Sequence, residues 1–180
     1  MEAFMKKSLS VWQLGALTFT AVVGTLLHFL YQWTGFLALA PFCAVNESTW
    51  EHMKILFFPM LLFTLIQSKF FAEEYPKYWT IKLIGILVGV ILVPVLFYTY
   101  NGVFGNSPSW VNIAIFFLSA GVGYLVEFFL FKQNDERKSS PVVPIVILCI
   151  LTATFIVCTF FPPQIPLFQD PITGNYGITA

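Results

Sequence analysis

Both histidines and two of the glutamates lie in two short stretches of an otherwise apolar chain. His28 is near the end of the first apolar run, and Glu47, Glu51 and His52 belong to a polar stretch over residues 46–54. Imidazole and carboxylate groups are zinc ligands, and catalytic zinc sites use three such ligands and leave a position for water. We therefore predict a Zn²⁺ site with His28, His52 and Glu51 as ligands, and Glu47 and Glu51 as catalytic carboxylates.

Four further polar residues could support this site. Asn46, Ser48 and Lys54 belong to the same polar stretch, and we predict that they orient the ligands and the catalytic groups. Asp170 lies in a segment rich in proline and glycine after the last apolar run, and we predict that it folds over the site as a lid. No H-E-x-x-H motif is present, so the spacing alone does not define a reaction.

The polar stretch has two other interpretations that need no metal. A buried carboxylate and a neighbouring histidine can act as an acid/base pair or a proton relay, because burial raises the pKa of the carboxyl group toward neutral pH. Alternatively, Ser48 and Glu51 have the spacing of a capping box, with Lys54 as the ion-pair partner of Glu51. At 100° per residue Glu47, Glu51 and Lys54 share one helix face, and His52 lies on another.

Composition places the chain among integral membrane proteins. Hydrophobic residues make up 58% of the 180 residues, and charged residues only 10%, where soluble domains have roughly 25%. The formal net charge is zero, so nothing indicates a nucleic-acid partner. The three cysteines are an odd number without a C-x-x-C pair, which argues against a disulfide framework.

The apolar runs predict an all-α bundle of five transmembrane helices in a single domain over residues 1–180. Each run is long enough for a bilayer core of about 30 Å. The predicted spans are about 11–33, 47–69, 78–100, 110–131 and 142–161, followed by a tail over 162–180. Residues 36–45 connect the first two spans and are themselves apolar, which indicates an interfacial or re-entrant segment shielded by protein.

Basic residues predict the orientation of the bundle. Eight of the nine lysines and arginines fall on one side of the predicted spans, and Lys54 falls on the other. The positive-inside rule then places the amino terminus in the cytoplasm and the tail outside. His28, Glu47, Glu51 and His52 would share the outer level of the membrane. The eight residues on the cytoplasmic side are Lys6, Lys7, Lys69, Lys77, Lys82, Lys132, Arg137 and Lys138.

An ion pair is expected near the cytoplasmic surface. Glu127 lies five residues before Lys132, and Lys82 lies near the start of the third span. Charged residues within spans pair with one another in the bundle interior. We predict that Glu127 pairs with Lys82.

Three sequence blocks resemble a known family. They are His28-Phe29-Leu30-Tyr31, Asn46-Glu47-Ser48-Thr49-Trp50-Glu51-His52, and the Pro-Leu-Phe-x-Asp-Pro-x-Thr-Gly-x-Tyr-Gly pattern over residues 166–177. Together they resemble a family of small bacterial polytopic membrane proteins of unknown function. The resemblance implies a multi-pass protein of the bacterial cell membrane and one compact domain, and it implies no activity.

Three functions remain open from the sequence. The first is a metal-dependent or acid/base enzyme, for example a membrane hydrolase, that acts on a lipid or lipid-like substrate through the outward-facing His/Glu site. The second is a transporter or binding protein for a small solute or ion with a protonatable site. The third is a structural or accessory subunit whose small-residue helix faces join a partner. The sequence does not determine the oligomeric state.

Overall fold

The protein is described from a computed structural model that covers residues 2–133 and 139–178. The side chains of residues 2–8 are not described. Of the residues that the orientation argument uses, Arg137 and Lys138 therefore lie outside the described residues, and the side chains of Lys6 and Lys7 are not described. The last two residues of the predicted tail also lie outside the described residues.

Five long helices form the molecule, as the sequence predicts. Each contains a stretch that is long and apolar enough to cross a membrane. No strand occurs among the described residues, which contain only an isolated antiparallel bridge between Gln169 and Tyr176. The helices are α1 Glu2–Thr34, α2 Thr49–Phe71, α3 Tyr78–Phe104, α4 Ser109–Lys132 and α5 Val142–Phe160.

The third helix is longer than predicted at its C-terminal end. The prediction ended it at Tyr100 because Asn101 and Gly102 favour a turn, but the helix continues to Phe104. The Asn101 side chain donates to the Phe97 carbonyl one turn earlier, at 2.9 Å, and so satisfies a backbone acceptor within the helix. The helix ends where Gly105 adopts a φ of +83°, a conformation that glycine adopts without steric cost.

The second helix is the centre of the bundle. In its most apolar window 56% of the residues are buried, against 22% for α5. A helix with apolar residues around its whole circumference is expected in such a position. Pro59 lies inside this helix and leaves the Ile55 carbonyl without its usual backbone donor.

Small residues bring α3 and α4 into close contact. A Cβ atom at Gly123 would lie 2.7 Å from the Gly85 carbonyl oxygen, and one at Gly89 would lie 3.2 Å from the Ser119 carbonyl oxygen. This packing is typical of small-xxx-small helix pairs in membranes. The Gly85/Gly89 face, which could have served a partner protein, is therefore used within the chain.

The predicted Lys82–Glu127 ion pair is confirmed. The lysine Nζ lies 2.5 Å from a glutamate oxygen, and both side chains are fully buried. Gln13 from α1 donates to the same oxygen at 3.2 Å. The hydroxyl groups of Thr20 in α1 and Tyr124 in α4 form a hydrogen bond of 2.7 Å. A layer of buried polar groups thus joins α1, α3 and α4 near the ends of the helices that lie away from the tail.

The apolar segment over residues 36–45 packs against the bundle through its second half, while Phe36, Leu37, Ala38 and Phe42 are exposed; we keep the name re-entrant segment for it. It contains a short 3-10 helix, Leu37–Leu39. Ala40 and Cys43 are fully buried, and the Ala44 amide donates to the Leu27 carbonyl of α1 at 3.1 Å. The segment therefore brings the following polar residues to α2 as part of the packed structure.

The tail over residues 162–178 lies across the beginning of α2. It contains a second 3-10 helix, Pro166–Phe168. The Trp50 ring contacts the rings of Phe155 and Phe168, with centroid distances of 4.5 Å to each. We call this end of the bundle the tail side, and His28, Glu47, Glu51 and His52 all lie there.

Candidate functional site

The first turn of α2 is capped by Ser48. Its hydroxyl accepts from the Glu51 amide at 3.4 Å, and its own amide donates to the Asn46 side chain at 2.9 Å. Only half of the predicted capping box forms. The Glu51 carboxylate does not reach back to the Ser48 amide, because it accepts from the Val45 amide at 3.0 Å instead.

Glu51 and Lys54 form a buried ion pair, as the capping interpretation predicts. Lys54 Nζ lies 2.5 Å from a Glu51 oxygen. The same ammonium donates to the Ala40 carbonyl and to the Thr159 hydroxyl, at 2.9 Å each. All three ammonium protons therefore have acceptors, which lie on α2, on α5 and on the re-entrant segment. This pair holds the tail side of the bundle together.

Glu47 takes the place that the sequence assigned to Glu51 in the ligand set. One Glu47 oxygen lies 3.6 Å from His28 Nε2 and 3.6 Å from His52 Nε2. Ligand atoms of these three residues all lie within 4.8 Å of one another, and Glu51 is not part of this group. The difference has a simple cause. Glu47 precedes the helix cap, so the 100° periodicity that placed it beside Glu51 does not apply to it.

The backbone fixes the tautomer of one histidine. His52 Nδ1 lies 2.9 Å from the Ser48 carbonyl oxygen, and a carbonyl only accepts, so Nδ1 carries the proton. The Nε2 of a neutral His52 is then an acceptor that faces a carboxylate oxygen. Histidine metal ligands commonly donate their other N–H to a backbone carbonyl in this way.

His28 differs from His52 in this respect. Its Nδ1 is buried and has no hydrogen-bond partner among the described residues, so only the Glu47 carboxylate, on the Nε2 side, can influence its tautomer. The two rings are close, with centroids 5.3 Å apart. His28 is thus able to donate to Glu47 through Nε2 or to present a lone pair there.

Two of the three separations between ligand atoms are close to those of a zinc site, and the third, between the two histidines, lies within 4.8 Å. Zinc bonds of 2.0–2.2 Å at tetrahedral angles place two ligand atoms about 3.4 Å apart. The two observed separations of 3.6 Å require a contraction of only a few tenths of an ångström. Their side chains are 24% (His28), 42% (Glu47) and 18% (His52) exposed, so a solute can reach them.

The histidines also act on the charge of Glu47. The contact with His28, at the outer limit of a hydrogen bond, lowers the pKa of the Glu47 carboxyl group, and partial burial opposes this effect. The fields of His52 and His28 lower the pKa further. These effects favour the anionic form of Glu47.

A cavity of about 780 Å³ opens beside the three residues. Its volume lies in the range of pockets that hold drug-sized ligands. Glu47 and the histidines form one polar wall. Asn106, Ser107, Ser109 and Asn112, at the junction of α3 and α4, form the other. The remaining lining is mostly apolar and consists of Gly24, Thr25, Phe29, Ile55, Phe97, Ile113, Phe116, Phe117, Pro171 and Ile172.

Gly24 and His28, four residues apart on α1, both line this cavity. A Cβ at Gly24 would lie 2.5 Å from the Phe116 ring and 3.1 Å from the Ile55 carbonyl oxygen, the carbonyl that Pro59 leaves free. Gly24 thus forms part of the cavity floor, one helical turn below His28. The four polar residues of the second wall were not identified from the sequence. The only signal was their position before and within the first turn of α4.

Asp170 lies where a lid would lie, although its carboxylate mainly orders the tail. One oxygen accepts from the Ile172 and Thr173 amides, at 2.7 and 3.2 Å. The other accepts from the Glu47 amide at 3.4 Å. Asn46 adds a bond from its side-chain amide to the Gly177 carbonyl at 2.9 Å. The tail therefore positions Glu47 and places Pro171 and Ile172 along the cavity.

Comparison with known proteins identifies a family but no function. The sequence profile of a family of unknown function, DUF6512, matches residues 1–178. No curated protein and no solved structure matches the chain significantly.

Proposed function

Because the chain belongs to DUF6512, a family of unknown function, we propose a function from the site itself: a membrane-embedded, metal-dependent hydrolase that acts on a lipid or lipid-like substrate. In this proposal His28, Glu47 and His52 hold Zn²⁺, and the cavity admits the substrate. The protein is a multi-pass protein of the bacterial plasma membrane, with the tail side outside. The positions of the basic residues and the five apolar helices support this placement.

The convergence of three electron-rich atoms carries the proposal. The Nε2 lone pair of His52 faces a Glu47 oxygen at 3.6 Å, and its tautomer is fixed by the Ser48 carbonyl. Two acceptors in this position repel each other unless a cation or a proton lies between them. A divalent cation would satisfy both of them and His28 at once.

The chemistry follows from the ligand set. Two histidines and a glutamate leave at least one position on zinc for water, and zinc lowers the pKa of bound water toward 7. None of the described carboxylates other than Glu47 lines the cavity, and Glu51 is engaged with Lys54. Activation of water would therefore depend on the metal rather than on the separate glutamate base that the sequence suggested.

The first experiment is elemental analysis of protein purified in mild detergent without added metal. The proposal predicts about one transition metal per chain, lost in His28→Ala and in His52→Ala. The variant Gln164→Ala is a control, because this tail residue is exposed and absent from the cavity lining. Wild-type protein that neither contains zinc nor takes it up would refute the metal-dependent function.

Activity is then measured as release of fatty acid or of a neutral lipid product from a membrane lipid extract. Chelation should abolish release, and added Zn²⁺ should restore it. A chelator-insensitive release that survives in His52→Ala would come from another protein in the preparation or from a metal-free mechanism, and either contradicts the proposal.

A second candidate function is proton-dependent binding or transport of a small solute. Its support is the buried polar face of α1, which contains Gln13, Thr20 and His28. At 1.5 Å per residue these residues span about 22 Å along the helix, from the Lys82–Glu127 layer to the cavity. This function predicts metal-free protein whose solute uptake depends on pH and is lost in Glu47→Gln.

A further inference from the structure

The cavity has an unusual charge composition for a lipid site, because none of its described lining residues is lysine or arginine. We propose that its ligand is an uncharged single-chain lipid whose polar head is held by Asn112, rather than a phospholipid. This inference rests on the proposed function, since it names the substrate class of the same site.

The absence of cations in this lining disfavours a phosphate head. Proteins recognise phosphate through arginine and lysine, often by paired hydrogen bonds. Glu47 is the only residue in the lining with a permanent charge, and it is negative. In the metal-free cavity a phosphate would lose water and face a carboxylate, whereas a Zn²⁺ held by the three residues would add a positive charge that attracts phosphate. A neutral amide, ester or hydroxyl head would meet no repulsion from the carboxylate.

Asn112 supplies the hydrogen-bonding group that a neutral head needs. The Ser107 hydroxyl donates to the Asn112 side-chain oxygen at 2.8 Å. This contact occupies the amide oxygen and leaves the NH₂ group, which only donates. Its natural ligand is the oxygen of a carbonyl or hydroxyl group. Asn112 is thus the proposed binding residue for the head, in the same cavity as His28, Glu47 and His52.

The apolar part of the cavity accounts for the chain. Phe29, Ile113 and Phe117 line the cavity and are exposed. Because these apolar residues belong to α1 and α4, we infer that the chain of the ligand enters between those two helices. The cavity volume of about 780 Å³ suits a drug-sized molecule, which corresponds to one acyl chain with a small head rather than a two-chain lipid.

The test is competition between two fluorescent probes of equal chain length. One probe is an N-acyl amino alcohol, which is uncharged, and the other is a single-chain lysophosphatidic acid. Binding is measured by fluorescence anisotropy with the full chain in lipid nanodiscs, both chelated and loaded with Zn²⁺. In chelated protein we expect the neutral probe to bind at least about tenfold more tightly, a difference of about 1.4 kcal/mol, and the Zn²⁺-loaded protein measures how far the metal reduces this preference.

Variants at Asn112 separate recognition from general damage. Asn112→Ala should weaken the neutral probe about fivefold to tenfold, as expected for one hydrogen bond of about 1 kcal/mol. Asn112→Lys should reverse the preference in favour of the anionic probe. Asn101→Ala is the matched control, because Asn101 lies near the same end of α3, bonds only to its own helix and does not line the cavity.

Access from the bilayer has its own pair of variants. Ile113→Trp places a larger ring at the opening and should slow association of the probe several-fold. Leu118→Trp changes an exposed residue of the same helix that is absent from the lining, and it should have no effect. Equal rates in the two variants would overturn lateral access.

The outcomes distinguish this inference from the proposed function. Preference for the anionic probe in chelated protein, or indifference to Asn112→Ala, overturns the inference even if the protein contains zinc and hydrolyses lipid. Selective binding of the neutral probe by protein that never takes up metal supports the inference and refutes the enzyme. Binding of neither probe in either metal state overturns the inference.

Discussion

Two isosteric substitutions test which glutamate belongs to the proposed metal site. The sequence predicts Glu51 as a ligand, whereas in the structure Glu47, and not Glu51, lies beside the two histidines. Glu47→Gln and Glu51→Gln each remove one negative charge and keep the shape of the side chain. The two variants should fail in opposite ways, one in metal binding and the other in stability.

The size of each effect follows from burial. The Glu51 and Lys54 side chains are 3% and 0% exposed, so Glu51→Gln leaves an ammonium group buried without its carboxylate. Breaking one partner of a buried pair costs about 3–5 kcal/mol. Lys54 keeps two other acceptors, so we expect the lower end. For a chain of this length, about 3 kcal/mol lowers Tm by about 6–12 °C.

Glu47→Gln should have little effect on folding. The Glu47 side chain is 42% exposed, and substitutions at such positions change stability by about 0.5 kcal/mol or less. Its effect on zinc should be large. Removing a group that only orients a ligand costs 10–100-fold in affinity, and loss of a charged ligand should therefore exceed about 100-fold.

Both quantities are measured on the same samples. Tm is followed by the intrinsic fluorescence of the five tryptophans in chelated protein, and zinc affinity by competition with a fluorescent chelator. One result would contradict the ligand set taken from the structure and support the one predicted from the sequence. In that result Glu47→Gln binds zinc with normal affinity, and Glu51→Gln loses zinc with an unchanged Tm.

Three further predictions concern the frame around the site. Gly85→Ala should destabilise the protein by about 1–3 kcal/mol in thermal unfolding, because the added methyl group overlaps the buried Glu127 side chain. The control Gly121→Ala adds a methyl group that meets nothing within 4 Å, and it should be neutral or stabilising. Burial raises the pKa of the Cys43 thiol, so a water-soluble maleimide should leave it unmodified at pH 8 and react after denaturation; reaction in the native protein would contradict the packed re-entrant segment. In intact cells such a maleimide should label Thr173→Cys in the tail and spare Glu74→Cys in the α2–α3 turn, and the opposite pattern would reverse the predicted orientation.

The sequence predicted the features that depend on composition and on helix periodicity. Apolar runs of sufficient length gave five helices, and the Lys82–Glu127 pair followed from the high cost of unpaired charge inside a membrane. The Glu51–Lys54 pair also followed from spacing within one helix. These arguments need only local sequence and the properties of the bilayer.

The ligand set could not be predicted in this way. Glu47 lies one residue before the cap of α2, and a shift of one residue in the start of a helix determines whether its periodicity applies. The orientation of Glu47 depends also on Asp170, which is 123 residues away in the chain. Sequence patterns contain no information on such a contact.

The second cavity wall shows the same limit. Ser107 and Asn112 lie in and after a polar loop, where such residues are common for reasons of turn formation alone. Only the packing of α4 against α1 places them in the same cavity as His28.

The tail also determines when the site can exist during biosynthesis. Asn46 forms a hydrogen bond with Gly177, and Glu47 forms one with Asp170. The ribosome adds Asp170 and Gly177 after the residues of all five helices. Glu47 therefore stays without these partners until the tail has been synthesised and has folded onto the start of α2. A chain stalled after the fifth helix would contain all five apolar helices and still lack the hydrogen bonds that position Asn46 and Glu47.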